Sequence, residues 1–225
     1  FGMEEVLNRV PGVLAQSRSG NQDVRFTIRG FGTRGAGDRS NSGTSRGIKF
    51  FIDGVPETEP DGRTSFDNFD LSLANRIEVI RSNSSALWGN SAGGVVNISN
   101  EPFFSGKGFA NVDIVGGSWN YKKTAVSAGV RMNESDKVYA SFSGTKFDGW
   151  RQNSESERYL AMVGYRSAGA TTQFGMNLSA VNNRFFVPGP LSLADFENSP
   201  ENANATYLTR REHRHNRIGK ISAML

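Results

Sequence analysis

The sequence contains no cysteine and only two histidines. The first absence excludes a disulfide scaffold, a thiolate metal site and a cysteine nucleophile. No apolar run approaches the ~18 residues of a membrane-crossing helix, which excludes a helical membrane protein. Hydrophobic side chains make up 36% of the 225 residues. Ordinary globular chains carry roughly 45–50%, an average that counts glycine as well. The opening Phe1-Gly2-Met3-Glu4-Glu5 lacks the basic start and apolar centre of a signal peptide. It reads as the beginning of a processed chain or a fragment.

Glycine is abundant, at 26 residues, and 26 basic against 22 acidic residues leave a net charge of +4. Nucleic-acid binding is not indicated, because the basic residues do not cluster on one face with interleaved aromatics. The excess is local. Between Ser17 and Lys49 stand seven basic residues, Arg18, Arg25, Arg29, Arg34, Arg39, Arg46 and Lys49, against Asp23 and Asp38. In a stretch rich in Gly, Ser and Asn, this is either a solvated loop surface or a pocket for an anion.

Residues 1–100 read as a compact mixed α/β unit. Glu4 to Val10 continues the helical spacing of Met3, Val6, Leu7 and Val10, and Pro11-Gly12 stops it. Strands are predicted at Val24–Ile28, at Ile48–Ile52 before the turn dipeptide Asp53-Gly54, at Arg76–Arg81 and at Gly93–Ile98. A short helix, Ser84–Trp88, precedes the last and ends at Gly89.

From residue 101 the grammar changes to long alternating strands joined by polar turns. Val112 and Ile114 alternate with Asn111 and Asp113. Val126 and Val130 alternate with Ser127 and Arg131, and Val138 and Phe142 with Ser141. Met176 and Leu178 alternate with Asn177, and Ile221 with Ser222. Tyr159 to Arg166 is apolar with weaker alternation. About six strands are expected, each with one apolar face and one small and polar face. A soluble sandwich alternates with its apolar face inside, and a transmembrane barrel with its apolar face outside. The connections at 133–136 and 167–170 are short. Those at 117–123, 149–157 and 183–213 are expected to be longer, as in outer-membrane barrels.

No enzyme constellation emerges. Gly30-Phe31-Gly32-Thr33-Arg34-Gly35 matches G-x-G-x-x-G after a strand, but no helix follows to hold a pyrophosphate. The glycines suit a tight irregular backbone instead. His213 and His215 would share a strand face and could bind one metal. Their neighbours Arg210, Arg211, Arg214 and Arg217 oppose a cation there. Asp53, Glu57, Glu59 and Asp61 are either paired carboxylates, calcium ligands or a solvated loop. Ser84 and Ser85 have no partner base nearby. No catalytic residue, resident metal or cofactor is assigned.

Five motifs in order resemble the plug of TonB-dependent outer-membrane receptors. They are Leu7-Asn8-Arg9-Val10-Pro11-Gly12-Val13, Phe26-Thr27-Ile28-Arg29-Gly30-Phe31-Gly32, Phe51-Ile52-Asp53-Gly54-Val55-Pro56, Arg76-Ile77-Glu78-Val79-Ile80-Arg81, and Leu87-Trp88-Gly89-Asn90-Ser91-Ala92-Gly93-Gly94-Val95-Val96-Asn97-Ile98. Ser82-Asn83 stands where the family usually has Gly-Pro, and Trp88 where a tyrosine is common. Asp148-Gly149-Trp150-Arg151, Pro188-Gly189-Pro190-Leu191 and Asn198-Ser199-Pro200 resemble loops of the iron-dicitrate branch.

The resemblance implies a plug at 1–100, lacking its N-terminal part, followed at 101–225 by the first strands of a truncated antiparallel barrel. Family barrels have about 22 strands, so the chain is expected to be part of a longer receptor. It further implies a Gram-negative outer-membrane location, with outer-membrane lipid around the barrel. The implied function is import of a ferric chelate, of siderophore or iron-citrate type, driven through TonB and its ExbB–ExbD complex. Cobalamin, oligosaccharide or peptide import, and a soluble or surface β-rich module or adhesin, are the alternatives. By motif position the apical plug loops carry Arg18, Arg34, Arg39, Arg46 and Arg63 as substrate-binding residues. Arg29 and Arg81 match arginines that pair with barrel-wall glutamates. They are expected to be little exposed and held by carboxylates or backbone carbonyls.

Overall fold

The structure is a computed structural model. It describes residues 3–17, 24–32, 47–57, 64, 66–82, 85–89 and 91–225. The chain divides into two compact units, residues 1–103 and 104–225.

The first unit opens with helix α1 (Met3–Leu7), which buries Met3 and Leu7. It ends earlier than the sequence pattern predicts, because the chain already turns at Asn8 toward Pro11-Gly12. Asn8 receives the Ala15 N–H at 2.7 Å and donates back to the Ala15 carbonyl at 2.9 Å. That exchange holds strand β1 (Val13–Ser17) beside the helix. β1 pairs antiparallel with β2 (Val24–Ile28), and β2 with the two-residue β3 (Phe31–Gly32). In β2, Val24, Phe26 and Ile28 point into the core while Arg25 and Thr27 are half-buried.

A second sheet has the order β5 (Val55–Pro56), β4 (Ile48–Ile52), β7 (Gly94–Ser99), β6 (Arg76–Ile80). β4 and β7 run parallel and the other pairs antiparallel. β4 is covered on both faces, as its unbroken apolar run implies. Ile48 and Phe50 enter the core, and Phe51 packs edge-on against Trp88 of helix α2 (Ser85–Trp88) at 4.8 Å. Phe50 is fully buried and makes edge-to-face contacts with Phe26, Phe66 and Phe69 at 5.0, 5.1 and 5.9 Å. The last two come from a 3-10 turn (Phe66–Asn68) and its exit. Gly94 has φ +142°, and a Cβ there would lie 2.3 Å from the Ile80 carbonyl oxygen. No larger residue lets β7 meet β6 at that point.

The second unit is one antiparallel sheet in which each strand pairs with the next in sequence. The strands are β8 (Gly108–Gly117), β9 (Tyr121–Arg131), β10 (Asp136–Phe147), β11 (Ser156–Ala168), β12 (Gln173–Phe186) and β13 (His213–Met224). The register aligns Val112, Val126, Phe142, Ala161, Ala180 and Gly219 across the sheet. The short connections fall at 132–135 and 169–172 on one end. On the other end lie 148–155 and 187–212, the latter carrying helices α3 (Leu193–Asn198) and α4 (Ala205–Arg210). The connection expected to be long after Gly117 is instead tight, because Trp119 and Asn120 both adopt left-handed backbone.

Replacing Phe50 by Ala removes the ring at the meeting point of three others. A loss of about 3–5 kcal/mol is expected, read as faster amide exchange in β2, β4 and β7 of the full-length receptor. Exchange unchanged from wild type would contradict this packing.

Candidate functional site

Arg29 sits at the first position of a two-residue turn, Arg29-Gly30, with both residues at positive φ. This hairpin geometry matches the twist of the flanking strands. From there its Nη1 donates to the Arg81 carbonyl at 2.6 Å, and its backbone N–H donates to Gly12 O at 2.9 Å. Arg81 in turn donates from Nη1 to Pro11 O at 2.7 Å. The two side chains thus tie the Pro11-Gly12 turn, the β2–β3 hairpin and the exit of β6 into one corner.

The expectation for these arginines is met in its backbone-carbonyl half. It is corrected in its exposure, since both residues are exposed. Among the described residues no carboxylate pairs with either guanidinium. One nitrogen of each is anchored on a carbonyl.

Arg18, Arg34, Arg39, Arg46 and Arg63 lie outside the described residues, as do Glu59, Asp61, Ser84 and the Ser85 side chain. Asp53 is buried, with φ +50°. It accepts from the Asn100 N–H at 2.8 Å and from Ser99 Oγ at 3.4 Å, so it braces the β4–β5 turn against the end of β7. Glu57 accepts from Asn68 Nδ2 at 3.0 Å. His213 and His215 do share a face of β13. His213 Nδ1 lies 2.9 Å from Arg211 O and His215 Nε2 lies 2.7 Å from Asn182 Oδ1.

The two faces of the six-stranded sheet differ as the alternation predicts. Val112, Ile114, Val126, Val130, Phe142, Met176 and Leu178 are exposed on one face, Ile114 by 79%, and Val138 on the same face is half-buried. Asn111, Asp113, Ser127, Ser141 and Asn177 occupy the other face. The weak alternation of β11 also has its reason there. Arg158 and Arg166 stand in line with Leu160 and Met162, opposite Tyr159, Ala161 and Val163.

At the end with the long connections, Arg151 joins two of them. Its guanidinium donates to Asn202 O at 2.9 Å and to Gly189 O at 3.1 Å. Burial lowers its pKa from the ordinary arginine value. Asn153, buried and left-handed, donates to Val187 O at 2.9 Å and Glu212 O at 3.2 Å. Sequence reasoning found the loop residues and missed this clasp, because carbonyl acceptors some fifty positions away leave no trace in the sequence.

Two outcomes are expected in the full-length receptor. Arg29→Ala should weaken the corner by about 1 kcal/mol, measured as faster amide exchange at residues 11–13 and 29–32. Arg151→Ala should raise protease sensitivity across 187–212 while the strands stay protected. Unaltered exchange in the first case, or unaltered cleavage in the second, would contradict the contacts described.

Comparison with known proteins agrees with this geometry. Residues 2–96 match the family model of the TonB-dependent receptor plug domain. The vitamin B12 transporter BtuB of Vibrio vulnificus (strain CMCP6) is 25% identical, over 78% of this chain and 32% of its own length. The ferric citrate transporter FecA in its unliganded form has a TM-score of 0.72 at 24% identity, covering 90% of this chain and 32% of that one. The copper transporter OprC has a TM-score of 0.64 at 13% identity, covering 83% and 28%. At such identities the solved structures speak to the fold. The chain spans about a third of the length of these relatives. Its first unit is a TonB-dependent receptor plug and its second a run of barrel strands, so the chain belongs to the TonB-dependent receptors of the Gram-negative outer membrane.

Proposed function

We propose that this chain is the plug and part of the barrel of a receptor that imports a ferric chelate, with energy delivered through TonB and the ExbB–ExbD complex. The matched plug followed by a sheet with its apolar face outward carries this reading. In it the polar sheet face lines the lumen around the plug. Arg29 and Arg81 present their outward N–H groups to carboxylates of the barrel wall. Iron is cargo, and no resident cofactor is needed.

The chelate preference is supported by the +5 local excess and by Arg18, Arg34, Arg39, Arg46 and Arg63 in the apical loops. Guanidinium forks match the carboxylates and catecholates of iron chelators. The shared fold of the ferric citrate transporter points the same way. A second reading, cobalamin import, is favoured by the vitamin B12 transporter among the relatives. It does not call for an arginine-lined pocket.

Titration calorimetry on the full-length receptor with ferric citrate and with cobalamin separates the two. The proposal expects chelate binding, weakened roughly ten-fold or more by single Arg→Ala changes at positions 18, 34, 39 or 63. Cobalamin binding that ignores those changes, without chelate binding, would overturn it in favour of the second reading.

A further inference from the structure

At the end of the sheet with the short connections, one charged side chain stands on the outward face. Asp136, the first residue of β10, pairs across the ladder with Ser167, which pairs in turn with Phe174. The three rungs that follow toward the middle of the sheet carry no charged side chain on that face. Asp136 is half-buried. The Tyr165 hydroxyl donates to its Oδ1 at 2.9 Å, and Asn133 Nδ2 donates to its Oδ2 at 2.6 Å. Among the described residues no Lys, Arg or His lies at ion-pair distance from it. Lys137 and Arg166, which form the neighbouring rung, belong to the opposite face of the pleat.

Neutral donors hold this carboxylate in place without cancelling its charge. A fixed anion beside hydrocarbon is costly unless a cation comes to it. The surroundings suit one kind of cation. Tyr165 packs against Phe174 with ring centroids 6.1 Å apart and planes tilted by 54°. Phe174 is exposed on the same face. An aromatic face attracts an ammonium group. The carboxylate and the ring pair together are complementary to an ammonium, and the carboxylate repels an anionic headgroup.

The position selects one leaflet. In outer-membrane barrels the short turns are periplasmic, so Asp136 stands where the periplasmic leaflet, built of phospholipid, meets water. We propose that Asp136, with Tyr165 and Phe174, binds the primary ammonium of an ethanolamine phospholipid of that leaflet, whose acyl chains lie along Val138, Met176 and Leu178. A primary ammonium offers three N–H donors to the carboxylate. A choline headgroup offers none, and a glycerol headgroup leaves the lipid anionic. The inference uses the outer-membrane location of the family and not the imported nutrient. The ligand titrations described above therefore test that reading separately.

The experiment is native mass spectrometry of the full-length receptor after gentle delipidation, loaded with an equimolar mixture of dioleoyl phosphatidylethanolamine, phosphatidylcholine and phosphatidylglycerol. Wild type should retain the ethanolamine lipid in preference to the other two. Asp136→Asn keeps the shape of the side chain and removes its charge. It should lower retention of the ethanolamine lipid about ten-fold or more and abolish the preference over the choline lipid. Phe174→Leu should lower retention about three-fold. Glu134→Gln, in the adjoining turn, should leave it unchanged. Heat-modifiable gel mobility verifies that each variant is folded, and the wild-type preference is read independently of any variant. Equal retention of the three lipids by wild type, an Asp136→Asn variant with its preference intact, or an equal loss of all three lipids in that variant would overturn the proposal.

Discussion

Backbone hydrogen bonding in a medium without water is the constraint on which the second unit depends. A peptide group facing hydrocarbon must find its partner in the protein, because lipid offers none. The six strands meet this by pairing each with its sequence neighbour over ten to fourteen residues. With the ladder satisfied, side chains alternate by geometry alone. Val112, Phe142 and Leu178 go to one face, and Ser127, Ser141 and Asn177 to the other. A slip of one residue in any pair would exchange the two sets. The tight turns at 132–135 and 169–172 therefore matter beyond closure. Asn133 Oδ1, for instance, accepts both the Ser135 and Asp136 N–H groups at 2.8 Å and sets the entry of β10.

The first unit is held differently. Its strands are five or six residues at most and its sheets small. Stability rests on a shared aromatic centre around Phe50 and on arginines that bind backbone carbonyls across long sequence separations. Arg29 and Arg81 act as tethers across this corner. Such a corner is firm and keeps both guanidinium groups at an exposed surface.

Much of this was legible beforehand, and particular residues show why. β2, β4, β6 and β7 carry β-branched or aromatic residues at the spacing a half-buried or buried strand needs. The barrel strands carry strict alternation. β1 was not seen, because only Val13 and Ala15 of it point inward. α3 was missed although Ser192 and Asp195 stand at capping distance, the Asp195 N–H donating to Ser192 Oγ at 3.1 Å. The sequence pattern gives the whole of 183–213 as one connection, with no sign of its helices. The tight turn at Trp119-Asn120 was hidden because tryptophan rarely adopts positive φ. The motif resemblance located Arg29 and Arg81. Their carbonyl partners, and those of Arg151 and Asn153, are set by tertiary proximity and have no local signature.

The central claim is that the apolar face of β8 to β12 contacts lipid and the polar face water. The strands contain no cysteine, so single Cys substitutions placed in them report cleanly once any cysteines elsewhere in the full receptor are removed. Spin labels at Val112, Phe142 and Leu178 in reconstituted full-length receptor should be relaxed by oxygen and shielded from a water-soluble nickel chelate. Labels at Ser127, Ser141 and Asn177 should show the reverse preference. Uniform access of the nickel chelate to both sets, or the opposite assignment, would contradict the account.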